Sequence, residues 1–145
     1  MKALIQRVKQ ASVTIEGKIY SSINAGMLIF LGVEKEDKLE NAQKLAEKLI
    51  NLRIFEDETS RMNKSLLDVK GEILVISQFT LAGDCKKGTR PSFDKAAPPD
   101  IAEKLYEDFV KIISKYELPV KIGKFQAMMD VSLINDGPVT FMLEK

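Results

Sequence analysis

Residues 71–81 (GEILVISQFTL) constrain the fold of this chain most, because they change halfway along from mainly apolar to mainly polar residues. Residues 72–76 form a short apolar run rich in β-branched side chains, which predicts a buried strand and is too short for a helix. Two hydroxyls, an amide and a phenyl ring follow on residues 77–80 (SQFT). Polar groups at the end of a rigid strand are well placed to face a ligand. The plainer alternative is that the hydroxyls only satisfy backbone groups where the strand stops.

Hydrophobic periodicity predicts a mixed α/β domain. Strands are predicted over residues 2–8, 12–15, 18–23, 27–33, 53–55, 72–76, 119–125, 128–134 and 139–143. Residues 27–33 (MLIFLGV) are apolar on both faces, which favours a central strand. Amphipathic helices are predicted from about Lys38 to Leu52, after a start signal at Asp37 and Glu40, and from Asp100 to about Tyr116. We expect one domain over residues 1–145, with its helices on one side of the sheets.

Composition and charge narrow the class of protein. The chain is 45% hydrophobic and 30% charged, which is typical of a globular protein, and its net charge of +1 argues against coating nucleic acid by bulk charge. No apolar run has the length of a signal peptide core or of a membrane span. The single cysteine, Cys85, has no partner for an internal disulfide. We therefore expect a cytoplasmic protein that does not bind a membrane.

The absence of histidine is the most informative feature of the composition. It excludes Ser-His-Asp and Cys-His catalysis and every metal site with a histidine ligand. The base of an enzyme of this composition is then a carboxylate with a shifted pKa, a thiolate at Cys85, or a group of the substrate. The acidic run 56–58 (EDE) is a candidate for a hard cation, but adjacent acids in a loop are more often solvated. We expect no metal and no cofactor.

Two further places in the sequence carry candidate functional groups. Residues 82–91 (AGDCKKGTRP) form a loop in which Lys86, Lys87 and Arg90 either hold phosphates or are ordinary surface cations. Arg7 lies in a strand that is otherwise half buried, where it is either an edge charge in water or an anchor for the carbonyls of another segment.

Two short motifs resemble one family of editing enzymes, the D-aminoacyl-tRNA deacylases. These motifs are SQFTL at residues 77–81 and NDGPVT at residues 135–140. The likeness continues through IQRV, ASVTI, NLRIFED, MNKSLLDV, KGTRPSF and AAPP, so it covers essentially the whole chain without a large insertion. The main departure is residues 82–85 (AGDC), where the family has an aromatic residue and no cysteine.

The resemblance implies a fold, an assembly and a set of site residues. The fold is a barrel-like pair of packed sheets with two long helices on one side, in a β/β/α arrangement, and the assembly is a homodimer with active sites at the subunit interface. The residues that line a pocket for the 3′-terminal adenosine of tRNA and its amino acid are Ser77, Gln78, Phe79, Thr80 and Met129, with Gln78 and Thr80 as the catalytic pair.

The second motif has an implied role in selectivity. The Gly137–Pro138 bond is cis in the family and reaches into the partner's pocket, where it rejects L-aminoacyl groups. Arg7 and Asn135 support that segment. A steric filter of this kind does not exclude glycine, so the resemblance also implies hydrolysis of mischarged glycyl-tRNA.

The implied reaction, hydrolysis of a carboxylic ester, suits a chain without histidine. An aminoacyl ester of ribose is an activated bond, so positioning and oxyanion stabilisation suffice without a strong base. The neighbouring ribose hydroxyl assists in the RNA-assisted route that the family is described as using. The older alternative makes Thr80 a covalent nucleophile, but the sequence offers no evident base to activate it.

Two other classes of protein remain alternatives. One is a binding module that recognises the acylated tRNA end through Lys86, Lys87 and Arg90 without catalysis. The other is an interaction protein whose Met-rich C-terminal strands form a dimer interface. A binder does not turn over D-aminoacyl-tRNA, and an interaction protein shows no behaviour that depends on tRNA.

Overall fold

A long first strand organises the sheet. The structure, a computed structural model, describes all residues from Met1 to Lys145. Strand β1 runs without interruption over Lys2–Ile15, so the prediction of two strands here was wrong. The side chains of Lys9 and Gln10 are exposed, but the main chain stays paired with the last strand of the protein through a register shift. A change of side-chain exposure therefore does not mark a break in the strand.

Five further strands complete a nearly closed sheet. They are β2 (Lys18–Ile23), β3 (Gly26–Gly32), β6 (Glu72–Ser77), β7 (Val120–Ile122) and β8 (Asp130–Glu144). Their order is β2-β1-β3-β6-β7, and β8 pairs with β1. Only the β3–β6 and β6–β7 pairs are parallel. The Ser21 hydroxyl donates to the carbonyl of Ile122 at 2.9 Å and so links the two ends of this order.

Apolar side chains on opposite faces of the sheet form two cores. On β3 and β6, Ile29 and Val75 belong to the larger core, which lies under the helices, whereas Leu28 and Leu74 belong to a smaller core inside the barrel. Because both faces are covered, these strands read as continuous apolar runs. The prediction that residues 27–33 form a central strand is confirmed.

Two long helices pack on the outer face of the sheet. Helix α1 spans Leu39–Ile50, α2 is a single turn over Leu66–Val69, and α3 spans Pro99–Ile113 and continues as a 3-10 turn to Tyr116. The two predicted helices are confirmed, with small differences. Lys38 and Asn41 cap α1 in place of the predicted pair, and Ile101, predicted on the core face of α3, is 45% exposed. The predicted mixed α/β fold with its helices on one side is thus confirmed. No helix is long and apolar enough to cross a membrane.

Residues 53–55 do not re-enter the main sheet, contrary to prediction. Strand β4 (Phe55–Glu56) pairs with β5 (Met62–Lys64) in a separate two-stranded sheet. The connecting turn is held by Asp57, whose carboxylate accepts hydrogen bonds from Asn63 Nδ2 at 2.6 Å and from the N–H of Thr59 at 2.8 Å. These local bonds stabilise a hairpin that the short apolar run did not reveal.

Strand β8 passes through the Gly-Pro motif without ending. The sequence predicted two strands joined by a turn at residues 135–138, but Asp130–Glu144 is one strand. Val8 pairs with Asn135 and Gln6 pairs with Thr140, so five steps along β8 match two steps along β1. The extra residues form a wide bulge that contains the cis peptide bond between Gly137 and Pro138. Pairing on both sides of the bulge keeps the segment within one strand.

Candidate active site

A cavity of about 710 Å³ opens where β6 ends. It is bordered by Ile76 and Ser77 at the end of β6 and by Gln78 and Phe79, which follow the strand. Its lining is mainly hydrophobic and includes no aspartate, glutamate, lysine, arginine, tyrosine or cysteine. A cavity of this size with a few polar groups on an apolar wall is typical of a binding site for a small molecule or for one end of a larger one.

The chain turns sharply into a 3-10 helix, Phe79–Ala82, directly after β6. The N–H of Gln78 donates to the carbonyl of Leu31 at 2.8 Å, which holds the start of the turn against β3. A Cβ atom at Gly32 would lie 2.9 Å from Cβ of Leu81, so only glycine lets the turn pack this closely. The sequence predicted polar groups at the end of a strand. The structure shows in addition the turn that orients Gln78 toward the cavity.

Gln78 and Thr80 contact each other directly. Nε2 of Gln78 donates to Oγ1 of Thr80 at 2.6 Å. Gln78 borders the cavity, whereas Thr80 is exposed beside it and is not part of its lining. No carboxylate, amine or thiolate is bonded to the Thr80 hydroxyl. The arrangement therefore orients the Thr80 hydroxyl but offers no protein base to deprotonate it.

The opposite wall comes from the segment after β7 and from the start of α3. The segment contributes Phe125, Gln126, Ala127, Met128 and Met129. The loop before α3 contributes Ala96 and Ala97, and the first turn of α3 contributes Pro99 and Ala102. Of these, sequence reasoning identified only Met129 as a site residue. Residues 96–99 (AAPP) could have been identified, since they are among the stretches that resemble the family. Phe125 was predicted to lie in a strand over residues 119–125, but that strand, β7, ends at Ile122.

A buried tyrosine ties these two walls together. The Tyr106 hydroxyl on α3 donates to the carbonyl of Val75 at 2.9 Å, and the same carbonyl accepts from the N–H of Gly123 at 2.9 Å. Burial raises the pKa of Tyr106 above its ordinary value, so the hydroxyl stays protonated and remains a donor. The Tyr106 ring packs on Phe125 with the ring centroids 6.0 Å apart. One side chain thus positions β6 and the opposite wall.

The Gly-Pro motif lies elsewhere in the chain. Neither Gly137 nor Pro138 borders the cavity. Both lie in the β8 bulge, where Nδ2 of Asn135 donates to the carbonyls of Arg7 at 3.2 Å and Val139 at 3.0 Å. Within one chain, the structure therefore does not bring the two recognised motifs together.

Arg7 is buried and anchors three segments. Its side chain is 5% exposed. Nη1 donates to the carbonyl of Ile54 at 2.7 Å, Nε donates to the carbonyl of Asp136 at 3.2 Å, and Nη2 lies 3.4 Å from a carboxylate oxygen of Glu56. Of the two interpretations that the sequence left open, the geometry matches an anchor for carbonyls and not an edge charge in water.

The basic residues lie on the loop that leads from the 3-10 turn to α3. Phe93 of this loop packs edge-on against Phe79 with the ring centroids 5.1 Å apart, which fixes the base of the loop at the cavity. Lys86 and Lys87 border a separate, shallow depression, and Arg90 is exposed near the tip. Cys85 is exposed and lies outside the main cavity, so it is not placed to act as a base there.

The acidic run 56–58 is not arranged around a cation. Glu56 contacts Arg7, Asp57 holds its own turn, and Glu58 pairs with Lys64. No cluster of three or more cysteine, aspartate or glutamate side chains has the spacing of a metal site. Each of these carboxylates therefore has its own partner within the chain.

Comparison with known proteins identifies the family. The family model described as D-Tyr-tRNA(Tyr) deacylase matches residues 4–144. The chain is 58% identical over 144 residues to the D-aminoacyl-tRNA deacylase of Thermosipho africanus, with 99% of this chain and 97% of that protein covered. It is 60% identical over 144 residues to the D-aminoacyl-tRNA deacylase of Geotalea daltonii, with coverage of 99% and 96%.

Two solved structures share the fold. The c-Myc DNA Unwinding Element Binding Protein superposes with a TM-score of 0.94 at 44% identity, covering 100% of this chain and 99% of that one. A probable eukaryotic D-amino acid tRNA deacylase superposes with a TM-score of 0.85 at 17% identity, covering 99% and 98%. The resemblance drawn from the two sequence motifs is confirmed: this chain belongs to the D-aminoacyl-tRNA deacylase family of hydrolases.

Proposed function

We propose that this protein cleaves the ester bond of D-aminoacyl-tRNA in the cytoplasm, releasing the free D-amino acid and tRNA. The 3′-terminal adenosine and its aminoacyl group bind in the cavity at the end of β6. Family membership and full-length relatives that carry this name support the reaction class. The cavity is large enough for one end of an RNA molecule and open enough to admit it.

One observation carries the mechanism: the cavity has no ionisable side chain. Since the cavity of the chain itself offers no protein base at the reacting carbon, we assign the rate to the positioning of an activated ester and the stabilisation of its oxyanion. The first N–H groups of the 3-10 turn, those of Phe79 and Thr80, have no acceptor within the turn and are suited to that oxyanion. The free ribose hydroxyl of the substrate then assists the attacking water.

Selectivity for the D-isomer comes from exclusion in a homodimer. Gly137 and Pro138 are absent from the cavity of their own chain, and β8 pairs on one edge only. Ile134, Phe141 and Met142 of that strand are 41–53% exposed, an apolar surface that suits a second copy of the chain. A two-fold dimer then supplies each cavity with the partner's Gly137 and Pro138 as a rigid wall. The L side chain meets that wall, whereas D side chains and glycine do not.

The cations of the loop after the 3-10 turn bind the tRNA backbone. Lys86, Lys87 and Arg90 have no carboxylate partner within 4 Å and lie on a loop that is anchored at the cavity through Phe93. Cations placed there meet the phosphates that lie next to a bound 3′ end.

Binding without catalysis is the second candidate, since a structural relative at 44% identity is named as a DNA-binding protein. A turnover assay separates the two functions. The protein is incubated with D-tyrosyl-tRNA in large excess, and released amino acid is counted per mole of protein. We expect many turnovers. A deacylase is excluded if release stops at or below one equivalent while the protein remains folded and bound to the tRNA.

A further inference from the structure

Gln126 occupies an unusual backbone conformation in the wall of the cavity. Its φ is +59°, in the left-handed region, and it lies in a turn closed by a 3.2 Å hydrogen bond from the N–H of Ala127 to the carbonyl of Lys124. Glycine and asparagine are the residues that ordinarily occupy such a position. Four other non-glycine residues of the chain have positive φ, and Gln126 is the one of the five that lines the cavity.

The side chain of Gln126 is free to bind a ligand. The hydrogen bonds of the amide side chains at this site involve Gln78, which is bonded to Thr80, and do not involve Gln126. An amide offers one donor and one acceptor side by side, which is the pattern that pairs with the edge of an adenine. Ser77 and Gln78 are the only other polar side chains of the lining, and they lie on the opposite wall, at the end of β6.

An aromatic ring stands next to Gln126 in the same wall. Phe125 borders the cavity and is held by Tyr106, so its ring is fixed before any ligand binds. Proteins that recognise unpaired RNA bases combine a fixed aromatic ring with an amide or backbone group that reads the base edge. Residues 125 and 126 supply both parts of this arrangement.

The terminal adenine, which does not vary between substrates, suits such an amide better than the amino acid side chain does. A fixed polar group that faced the amino acid side chain would favour some D-amino acids over others, and a filter that works by exclusion has no need of it. The terminal base is the same in every tRNA. Resting on the function proposed above, we propose that Gln126 is a specificity-determining residue that hydrogen-bonds the edge of the terminal adenine.

A double-mutant cycle tests this contact. The Gln126→Gly variant removes the amide and leaves a residue that prefers the observed φ, so the turn is retained. Wild type and variant are assayed on D-tyrosyl-tRNA that ends in adenosine and on the same tRNA ending in purine riboside, which lacks the 6-amino group. We expect purine riboside to lower kcat/KM of the wild type about fivefold, through KM, and to leave that of the variant unchanged.

Two further variants complete the experiment. Ser60→Gly makes the same replacement at another residue with positive φ, 60°, outside the cavity, and should respond to purine riboside as the wild type does. Gln126→Asn keeps the turn but shortens the amide, and should lose the discrimination as Gln126→Gly does. Equal losses with purine riboside in wild type and both Gln126 variants would overturn the contact. A wild type that fails on the adenosine substrate would instead refute the proposed reaction.

Discussion

The Arg7 side chain binds Asp136 twice across the β1–β8 pair. Its Nε atom lies 3.2 Å from the carbonyl oxygen of Asp136 and 2.9 Å from a carboxylate oxygen of the same residue. The remaining guanidinium nitrogens contact Ile54 and Glu56. One buried side chain therefore connects the small β4–β5 sheet to the bulge that carries Gly137 and Pro138.

Removing this anchor should destabilise the protein and the bulge together. Arg7→Met leaves the carbonyls of Ile54 and Asp136 without a donor, so we expect the free energy of unfolding in urea to fall by about 3 kcal/mol. Selectivity should fall as well, so the variant should hydrolyse L-alanyl-tRNA faster than wild type does under conditions where it is still folded. The matched control is Arg53→Met, because Arg53 also donates to a main-chain carbonyl, that of Asn63, but is exposed. Its loss should stay below about 1 kcal/mol, and equal losses in both variants would contradict the anchor.

The turn of the small sheet should make stability depend on acid pH. Hydrogen bonds from Asn63, and then from Thr59 and the Arg61 N–H, hold the pKa of Asp57 well below its ordinary value of 3.8. A carboxyl whose pKa is lower in the folded state stabilises the fold above its unfolded pKa and loses that effect as the pH falls. The Tm difference between wild type and Asp57→Asn should be constant above about pH 5 and shrink toward pH 3. A difference that grows on acidification would contradict this assignment.

Thr80 should position the substrate and not attack it. Oγ1 of Thr80 is bonded to the Gln78 amide and has no base beside it. We expect Thr80→Val to retain activity within about tenfold of wild type, the scale of one lost hydrogen bond. A 3′-linked substrate that lacks the terminal 2′-hydroxyl should lose about a hundredfold or more, the scale of general acid–base assistance. A covalent aminoacyl-Thr80 adduct found by mass spectrometry would refute the positioning role.

The dimer model predicts that two defective variants complement each other. Gln78→Ala damages the cavity of its own chain and should abolish deacylation, and Pro138→Ala damages the wall that the chain offers to its partner and should admit L-alanyl-tRNA. A heterodimer of the two contains one working cavity, and the wall of that cavity comes from the chain with Pro138 intact. Purified heterodimers should therefore hydrolyse D-tyrosyl-tRNA at about half the wild-type rate and spare L-alanyl-tRNA. Hydrolysis of L-alanyl-tRNA by the heterodimers would exclude a site shared between subunits.

Periodicity was enough to predict the helices, the central strands and the class of fold. The apolar runs of β3 and β6 and the apolar face of α1 are local patterns, and burial on both faces of the sheet explains them directly. The strand breaks predicted in β1 and β8 were wrong for the opposite reason. Exposed Lys9 and the turn-like residues 135–138 are typical of a break in a strand when only the local sequence is considered. Pairing between β1 and β8, which are distant in sequence, keeps both strands extended.

The candidate site was predictable only in part. Residues 77–80 carry a local signal, because polar groups follow a buried strand. The facing wall is assembled from residues 96–102 and 125–131, and nothing in their local pattern shows that they meet. The tyrosine that joins them, Tyr106, reads as one more apolar residue of α3, since its hydroxyl bond to Val75 spans 31 positions. Sites built from distant segments require the fold to be known first.

In the mechanism that we propose, a wall excludes the L-isomer and the D side chain is not recognised. Glycine has no side chain to exclude, so its response separates the two mechanisms. Deacylation of D-alanyl-, D-tyrosyl-, L-alanyl- and glycyl-tRNA is measured across a range of enzyme concentrations. We predict that both D-forms and glycyl-tRNA are hydrolysed and that L-alanyl-tRNA is spared. Glycyl-tRNA as resistant as L-alanyl-tRNA, at concentrations that clear the D-forms, would contradict exclusion and establish recognition of the side chain.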